Sequence, residues 1–161
     1  MEKQFTTFYI DEMHCGIDIL LVKEINRQLE ISEVAGAPVF IRGLLNLRGQ
    51  IITVIDIGVR LGFAARQPTP RSRCIVLKTT AELAVLPQSA DIEEETTSEM
   101  AGLFVDRIGD MITVDDREIQ PPPANFGNID GRYLRGVIQR EADLLVILKI
   151  GEMLGAGKNN G

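Results

Sequence analysis

The stretch FIRGLLNLRGQIITVIDI, residues 40–57, decides the fold. It consists of two apolar runs joined by a turn at residues 47–50, where Gly49 can adopt a positive φ at little cost. Alternate residues of the second run share a face, with Ile51, Thr53, Ile55 and Ile57 on one side and Ile52, Val54 and Asp56 on the other. Because both faces are largely apolar, we expect this second strand to be central in a sheet.

The rest of the chain repeats this pattern of short Ile- and Val-rich runs separated by Gly, Pro, Asp and Asn. Such runs predict strands rather than helices, here at residues 5–10, 15–19, 31–34, 101–108, 111–114, 133–139 and 144–150. Residues 20–25 fit either one helical turn or a strand. A total of about nine or ten strands is typical of an all-β sandwich or a pair of small barrels.

Length and charge exclude several classes of protein. The chain has 161 residues, which suits one domain. Its net charge of −6 and pI of about 4.9 disfavour nucleic acid, because affinity for a polyanion depends on clustered Lys and Arg. The start has no basic region followed by an apolar run, and no apolar run is long enough for a membrane helix. We therefore expect a cytoplasmic protein without direct membrane insertion.

Few residues could carry catalysis or bind a metal. His14 is the only histidine, and Cys15 and Cys74 lack the spacing of a metal site, so we expect no metal, a turn position for His14 and two buried thiols. Neighbours on a strand face opposite sides, which argues against a Cys15–His14 dyad. Asp106 and Asp110 are expected in solvated turns. No phosphate-binding glycine motif occurs, so the sequence predicts neither an enzyme nor a cofactor.

Charge changes sign midway along the chain. Residues 58–81 contain five basic residues and no acidic one, and Pro68 and Pro70 indicate an exposed connection there. From Glu82 to Glu118 there are eleven acidic residues against two arginines. The densest part, residues 91–99, is low in hydrophobicity and is predicted to be a mobile loop. Its deletion is expected to change thermal stability little.

Several motifs resemble those of the CheW family. The strongest is Phe40-Ile41-x-Gly43-x-x-Asn46-Leu47-Arg48-Gly49-x-Ile51-x-x-Val54-Ile55-Asp56-Ile57. Others follow in the family's order over nearly the whole chain: Cys15-Gly16-Ile17-x-Ile19, Val22-x-Glu24-Ile25, Gly102-Leu103-x-Val105-Asp106 and Tyr133-Leu134-x-Gly136-Val137. The order of the motifs and the Asn-Leu-Arg-Gly element between two strands make this resemblance specific.

The resemblance implies a fold and a domain organisation. Family members are all-β, with two intertwined five-stranded SH3-like β-barrels around a shared hydrophobic core. Residues 1–154 would then form a single domain of two interleaved sub-barrels, and residues 155–161 a flexible C-terminal tail. The resemblance predicts a tight hairpin where this chain has 22 residues, so an acidic loop insert is expected near residues 79–100.

The resemblance also implies a function, which is a non-catalytic adaptor without a cofactor. Its partners would be the regulatory domain of a CheA-type histidine kinase and the cytoplasmic tip of methyl-accepting chemoreceptors, which would recruit it to membrane receptor arrays. The implied receptor- or kinase-binding residues are Val22, Glu24, Gly43 and Arg48, with Asn46 and Gly49 shaping the turn and Asp56, Asp106 and Gly136 structural. Two alternatives remain: an adaptor of a parallel pathway for pilus motility or gene control, and a small-ligand-binding β-barrel.

Overall fold

The computed structural model describes residues 1–27, 29–123 and 126–155. Within these residues the chain forms twelve strands. They are β1 Glu2–Ile10, β2 Met13–Asp18, β3 Val22–Asn26, β4 Ile31–Ser32, β5 Ile41–Leu47, β6 Gln50–Asp56, β7 Arg73–Leu77, β8 Ala101–Val105, β9 Arg107–Ile108, β10 Ile112–Asp115, β11 Leu134–Gln139 and β12 Leu144–Leu148. Apart from Gly155, the predicted flexible tail at 155–161 lies outside the described residues.

The strands form two sheets of six, and the chain interleaves them. The first sheet has the order β10-β1-β2-β12-β11, with β9 also paired to β1, and the second has the order β3-β7-β8-β6-β5-β4. The chain thus starts in the first sheet, builds the whole second sheet and then returns. This confirms the all-β fold of two intertwined barrel-like sheets, and each sheet has six strands because one two-residue strand, β4 or β9, joins the five that were expected.

The central position predicted for residues 50–56 is also confirmed. β6 lies between β5, its antiparallel hairpin partner, and β8, with which it pairs in parallel. Ile55 belongs to a shared core cluster with residues of both sheets, whereas Ile52 and Val54 belong to a separate cluster inside the second sheet. The strand is therefore apolar on both faces because it separates two hydrophobic cores.

Helical elements are short and mostly capped. They are α1 Ile57–Arg60, α2 Thr80–Ala84 and α3 Ile150–Leu154, together with 3₁₀ turns at Ile19–Leu21, Ser89–Asp91, Asp116–Glu118 and Gly131–Tyr133. Asp56 caps α1, and Thr79 with Glu82 forms a reciprocal capping box on α2. The ambiguous residues 20–25 combine both alternatives, because the first 3₁₀ turn leads directly into β3.

One strand was not predicted from the sequence. β7, Arg73–Leu77, lies within residues 58–81, which were interpreted as an exposed connection. Cys74, Ile75, Val76 and Leu77 are all buried, and β7 lies between β3 and β8. The signal was the run of four apolar residues, which the neighbouring prolines and basic residues obscured.

The acidic insert packs against the protein, and residues 92–99 form neither helix nor strand, as expected for a loop. Leu83 is buried, and Leu86 and Ile92 pack against the shared core. Thr96 is also buried, and its carbonyl accepts a hydrogen bond from Thr80 Oγ1 at 3.3 Å. Removing residues 91–99 would uncover part of the core, so the packing of Ile92 favours a loss of thermal stability on deletion over the nearly neutral effect expected from composition.

Candidate functional site

The tip of the β5–β6 hairpin presents the most exposed of the predicted site residues. Arg48 and Gly49 form the two-residue loop, with φ of 52° and 86°. Two successive positive φ angles define a type I′ turn, the form that matches the twist of a hairpin. Asn46 Oδ1 accepts a hydrogen bond from the Gly49 N–H at 3.0 Å, so its side chain closes the turn. The result is a rigid tip that holds Arg48 outwards.

Arg48 forms an ion pair with Glu24 of β3. Arg48 is 67% exposed and Glu24 is 28% exposed. The pair joins the hairpin tip to the far edge of the second sheet, because β3 and β6 are separated there by β7 and β8. An exposed pair of this kind contributes only about 0 to 1 kcal/mol to stability. Its position at the surface leaves both charges accessible to a partner.

The other two predicted residues occupy different positions. Val22 is the first residue of β3, two residues before Glu24, and packs partly against the shared core. Gly43 is buried in β5 with φ of 147°, and a Cβ there would lie 2.2 Å from the carbonyl oxygen of Ser32 in β4. A β-bulge between Val22 and Glu24 turns Val22 towards the shared core and away from the Glu24–Arg48 pair. Gly43 lies beneath β4, away from the hairpin tip.

The residue between Val22 and Glu24 connects β3 to the insert. Lys23 Nζ lies 2.6 Å from Glu82 Oε2, on the first turn of α2. The hydrogen bond from Lys23, with one from the Thr79 backbone, holds the pKa of Glu82 below its ordinary value. Consecutive strand residues therefore divide their roles, with Glu24 facing the hairpin tip and Lys23 fixing the insert beside it.

A polar network centred on Arg66 was missed by the sequence interpretation. Arg66 Nε and Nη2 donate to Asp106 at 3.0 and 2.8 Å, and Nη2 also pairs with Asp11. The Arg66 N–H donates to Asp56 at 2.9 Å, and the Arg66 carbonyl accepts from Arg42 at 2.6 Å. The hydrogen bonds to Asp106 are the main cause of a raised Arg66 pKa.

This network contains Asp56 and Asp106, which were both expected to be structural. It also shows that Asp106 does not lie in a solvated turn. Asp56 ends β6 of the second sheet and Asp11 lies in the β1–β2 turn of the first, so Arg66 links the two barrels. Asp106 is partly buried in this cluster rather than solvated in an open turn. The only sequence signal for Arg66 was its place in a stretch without acidic residues.

Comparison with known sequences agrees with this fold and these motifs. The sequence profile of the CheW-like domain family matches residues 4–158. The chain belongs to the CheW-like family. A chemotaxis protein CheW of Rhizobium meliloti is 27% identical over 148 residues, which cover 92% of this chain and 84% of the relative. The Treponema pallidum chemotaxis protein CheW is 29% identical over 153 residues, covering 95% and 82%.

A solved CheW structure has the same architecture. The scaffolding protein TtCheW from Thermoanaerobacter tengcongensis aligns with a TM-score of 0.77 at 29% identity, covering 95% of this chain and 88% of that one. The resemblance inferred from the ordered motifs is therefore confirmed. So is the fold that the resemblance implied for this CheW-like chain.

The thiols of this CheW-like chain are placed for packing. Cys15 and Cys74 are both free and fully buried. Burial raises the pKa of both thiols, that of Cys74 to about 12. Within the described residues, no group of three or more His, Cys, Asp or Glu side chains is arranged to hold a metal ion. The cysteines fill the hydrophobic interior.

His14 does not lie in a turn, as was expected, but in β2. Its Nδ1 lies 2.8 Å from Asp143 Oδ2, and its ring stacks on Tyr9 with centroids 4.5 Å apart. Neighbouring Cys15 instead packs in the shared core. The two side chains face apart, as strand alternation predicts.

In the part of the chain that the structure describes, no helix is long and apolar enough to cross a membrane.

Proposed function

We propose that this CheW-like chain is a non-catalytic adaptor that couples a CheA-type histidine kinase to the cytoplasmic tip of methyl-accepting chemoreceptors. The observation that carries the proposal is the exposed Glu24–Arg48 ion pair, displayed by β3 and the β5–β6 hairpin of a family member. In this role the protein works in the cytoplasm and is recruited to membrane receptor arrays.

The chemistry of the surface suits protein recognition. Val22 offers a partly buried apolar position at the start of β3, and the Glu24–Arg48 pair provides one charge of each sign further along the same strand. An apolar strip flanked by charges is the arrangement that binds an amphipathic helix, because the strip contributes affinity and the charges fix orientation. Gly43 contributes indirectly in this proposal, since it lets β4 approach β5.

The first test reverses the exposed charge. In Arg48→Glu the new carboxylate faces Glu24, so we expect near-normal thermal stability but loss of receptor-controlled kinase activity. The measurement is kinase autophosphorylation in reconstituted complexes of receptor, kinase and adaptor. Arg71→Glu is the matched control, because Arg71 is exposed and gives the same charge change in the turn before β7, outside the Glu24–Arg48 pair. It should couple normally.

A charge-swapped double variant separates two explanations of that result. If coupling requires only the attraction between residues 24 and 48, Glu24→Arg combined with Arg48→Glu should restore it, because the two charges again attract. If each charge contacts a partner, as we propose, the double variant stays inactive. Normal coupling by Arg48→Glu alone would contradict the assignment of this surface.

Isolation of the native complex decides which pathway the adaptor serves. We expect an affinity-tagged chain to recover a histidine kinase and a coiled-coil receptor. Recovery of the kinase of a pilus or gene-control pathway would assign it to that parallel system. If the tagged chain is functional in the cell but recovers neither a kinase nor a receptor, the result would contradict the adaptor role.

A further inference from the structure

The acidic insert, residues 79–100, crosses from one barrel to the other. It connects β7 and β8, which are antiparallel neighbours that a short hairpin would join. Instead, the carbonyl of Asp91 accepts a hydrogen bond from Lys3 of β1 at 3.0 Å. The Glu94 carboxylate accepts from the Ile150 N–H at 3.1 Å and from Arg135 of β11 at 3.3 Å. The insert is thus fixed to both barrels.

A cleft opens between α2 and the returning loop of the insert, residues 92–96. Its volume is about 350 Å³, at the small end of the range of ligand pockets, which run from roughly 300 to 1,000 Å³. Leu83, Ala84 and Ile92 give it apolar walls. Thr96 also lines it, and among the described residues the buried Thr96 Oγ1 has no hydrogen-bond partner. The cleft therefore has room for an aliphatic side chain, and its wall contains one hydroxyl group without a hydrogen-bond partner.

Glu95 lines this cleft and Asp91 directly precedes its lining residue Ile92, and this part of the insert carries negative charge that is not neutralised within the described protein. Asp91, Glu95 and Glu99 are exposed, and none forms an ion pair with another described residue. In contrast, Glu82 pairs with Lys23 and Glu93 pairs with Arg135. Carboxylates of this kind attract a basic partner and exclude an acidic one. Val85, 82% exposed at the end of α2, extends the apolar surface beside them.

The helix that forms one wall of the cleft, α2, contacts the strand that carries Glu24 of the surface assigned to the receptor or kinase. The Lys23–Glu82 contact of 2.6 Å joins α2 directly to β3. Val22 and Glu24 flank Lys23 on that strand. A helix lying along β3 would therefore lie beside α2 of the insert.

We propose that the insert is a partner-selecting docking site for a basic, amphipathic helical segment of the receptor. An aliphatic side chain of that segment enters the cleft beside Leu83 and Ile92, and a Lys or Arg three or four positions away lies against Asp91 and Glu95. This inference rests on the proposed adaptor function and specifies the chemistry of its partner.

The test uses the full-length chain and the purified cytoplasmic signalling fragment of a receptor from the same organism. In Asp91→Lys combined with Glu95→Lys, the attracting charges become repulsive. We expect the association rate with the receptor fragment to fall about tenfold or more and to lose most of its salt dependence. Ala84→Phe fills the cleft without changing charge, and it should weaken the same binding through faster dissociation.

The matched control is Glu12→Lys combined with Glu141→Lys, two exposed positions on the first sheet with the same total charge change. Circular dichroism and binding to the purified kinase show whether each variant is folded and otherwise competent. We expect the control to bind the receptor fragment normally and both insert variants to bind the kinase normally.

The outcomes separate this inference from the adaptor role. If the wild-type chain binds neither receptor nor kinase, the adaptor role fails. If the wild-type chain binds the receptor and the lysine double variant binds equally well, the docking site is wrong while the adaptor role stands. Selective loss of kinase binding in the insert variants would assign the insert to the kinase and overturn the inference.

Discussion

At the residue scale, Gly43 is required because the close approach of β4 leaves no room for a side chain at this position. Its φ of 147° is accessible mainly to glycine, and a Cβ would lie 2.2 Å from Ser32 O and 2.7 Å from Ile31 Cγ2. Gly43→Ala must move β4 or strain β5, so we expect a loss of at least about 2 kcal/mol in the free energy of unfolding. Urea denaturation measures this loss.

Gly131→Ala is the control for that variant. A Cβ at Gly131 meets no atom within 4 Å, and its φ is not positive. We expect a change of no more than about 1 kcal/mol, in the stabilising direction, because alanine restricts the unfolded chain. Equal stability of the two variants would show that β4 can yield without cost.

The resemblance predicted that Gly43 matters but not why. Arg48, Asn46 and Gly49 were predictable because turn chemistry acts within four residues. The conflict at Gly43 involves β4, a two-residue strand eleven positions away whose path no local pattern gives. The Arg66 network escaped prediction for the same reason, since its partners Asp11, Asp56 and Asp106 come from three distant segments.

At the element scale, the insert illustrates the limit of composition as a guide. The low hydrophobicity of residues 91–99 predicts a loop but not the contacts that this loop makes. These contacts involve Arg135 of β11 and the start of α3, which lie more than 40 residues further along the chain. The β5–β6 hairpin was predictable by contrast, since its period-2 pattern and its turn are contained in one continuous stretch.

Two carboxylates of the insert should respond to pH in opposite directions. Burial is the main cause of the raised pKa of Glu94, whereas the hydrogen bond from Lys23 lowers the pKa of Glu82. A depressed folded-state pKa adds stability above the unfolded pKa, which is lost as pH falls. A raised one adds stability below the unfolded pKa, which is lost as pH rises.

We therefore compare Glu82→Gln and Glu94→Gln with the wild type by chemical denaturation between about pH 3.5 and 6.5, a range that spans the ordinary glutamate pKa. The stability advantage of the wild type over Glu82→Gln should grow as pH rises. Its advantage over Glu94→Gln should shrink over the same range. The same sign of pH dependence for both variants would contradict the buried position of Glu94 or the Lys23–Glu82 contact.

At the scale of the whole molecule, two kinds of contact hold the barrels together. The shared core combines Phe8 and Ile17 of the first sheet with Ile55 and Leu103 of the second. Each sheet also has a smaller core of its own, around Phe104 in the second and Phe5 in the first. Because the largest core belongs to both sheets, we expect the two barrels to unfold as one cooperative unit.

Arg66 is the polar counterpart of that shared core, and its removal gives the last prediction. Arg66→Ala leaves the partly buried carboxylate of Asp106 without a cation and cuts the link to Asp11. We expect a loss of about 1 to 3 kcal/mol in the free energy of unfolding with a single transition retained. Arg117→Ala removes an exposed pair with Asp115 and should leave the unfolding midpoint nearly unchanged. If Arg66→Ala instead separates unfolding into two transitions, the Arg66 network rather than the shared core couples the barrels.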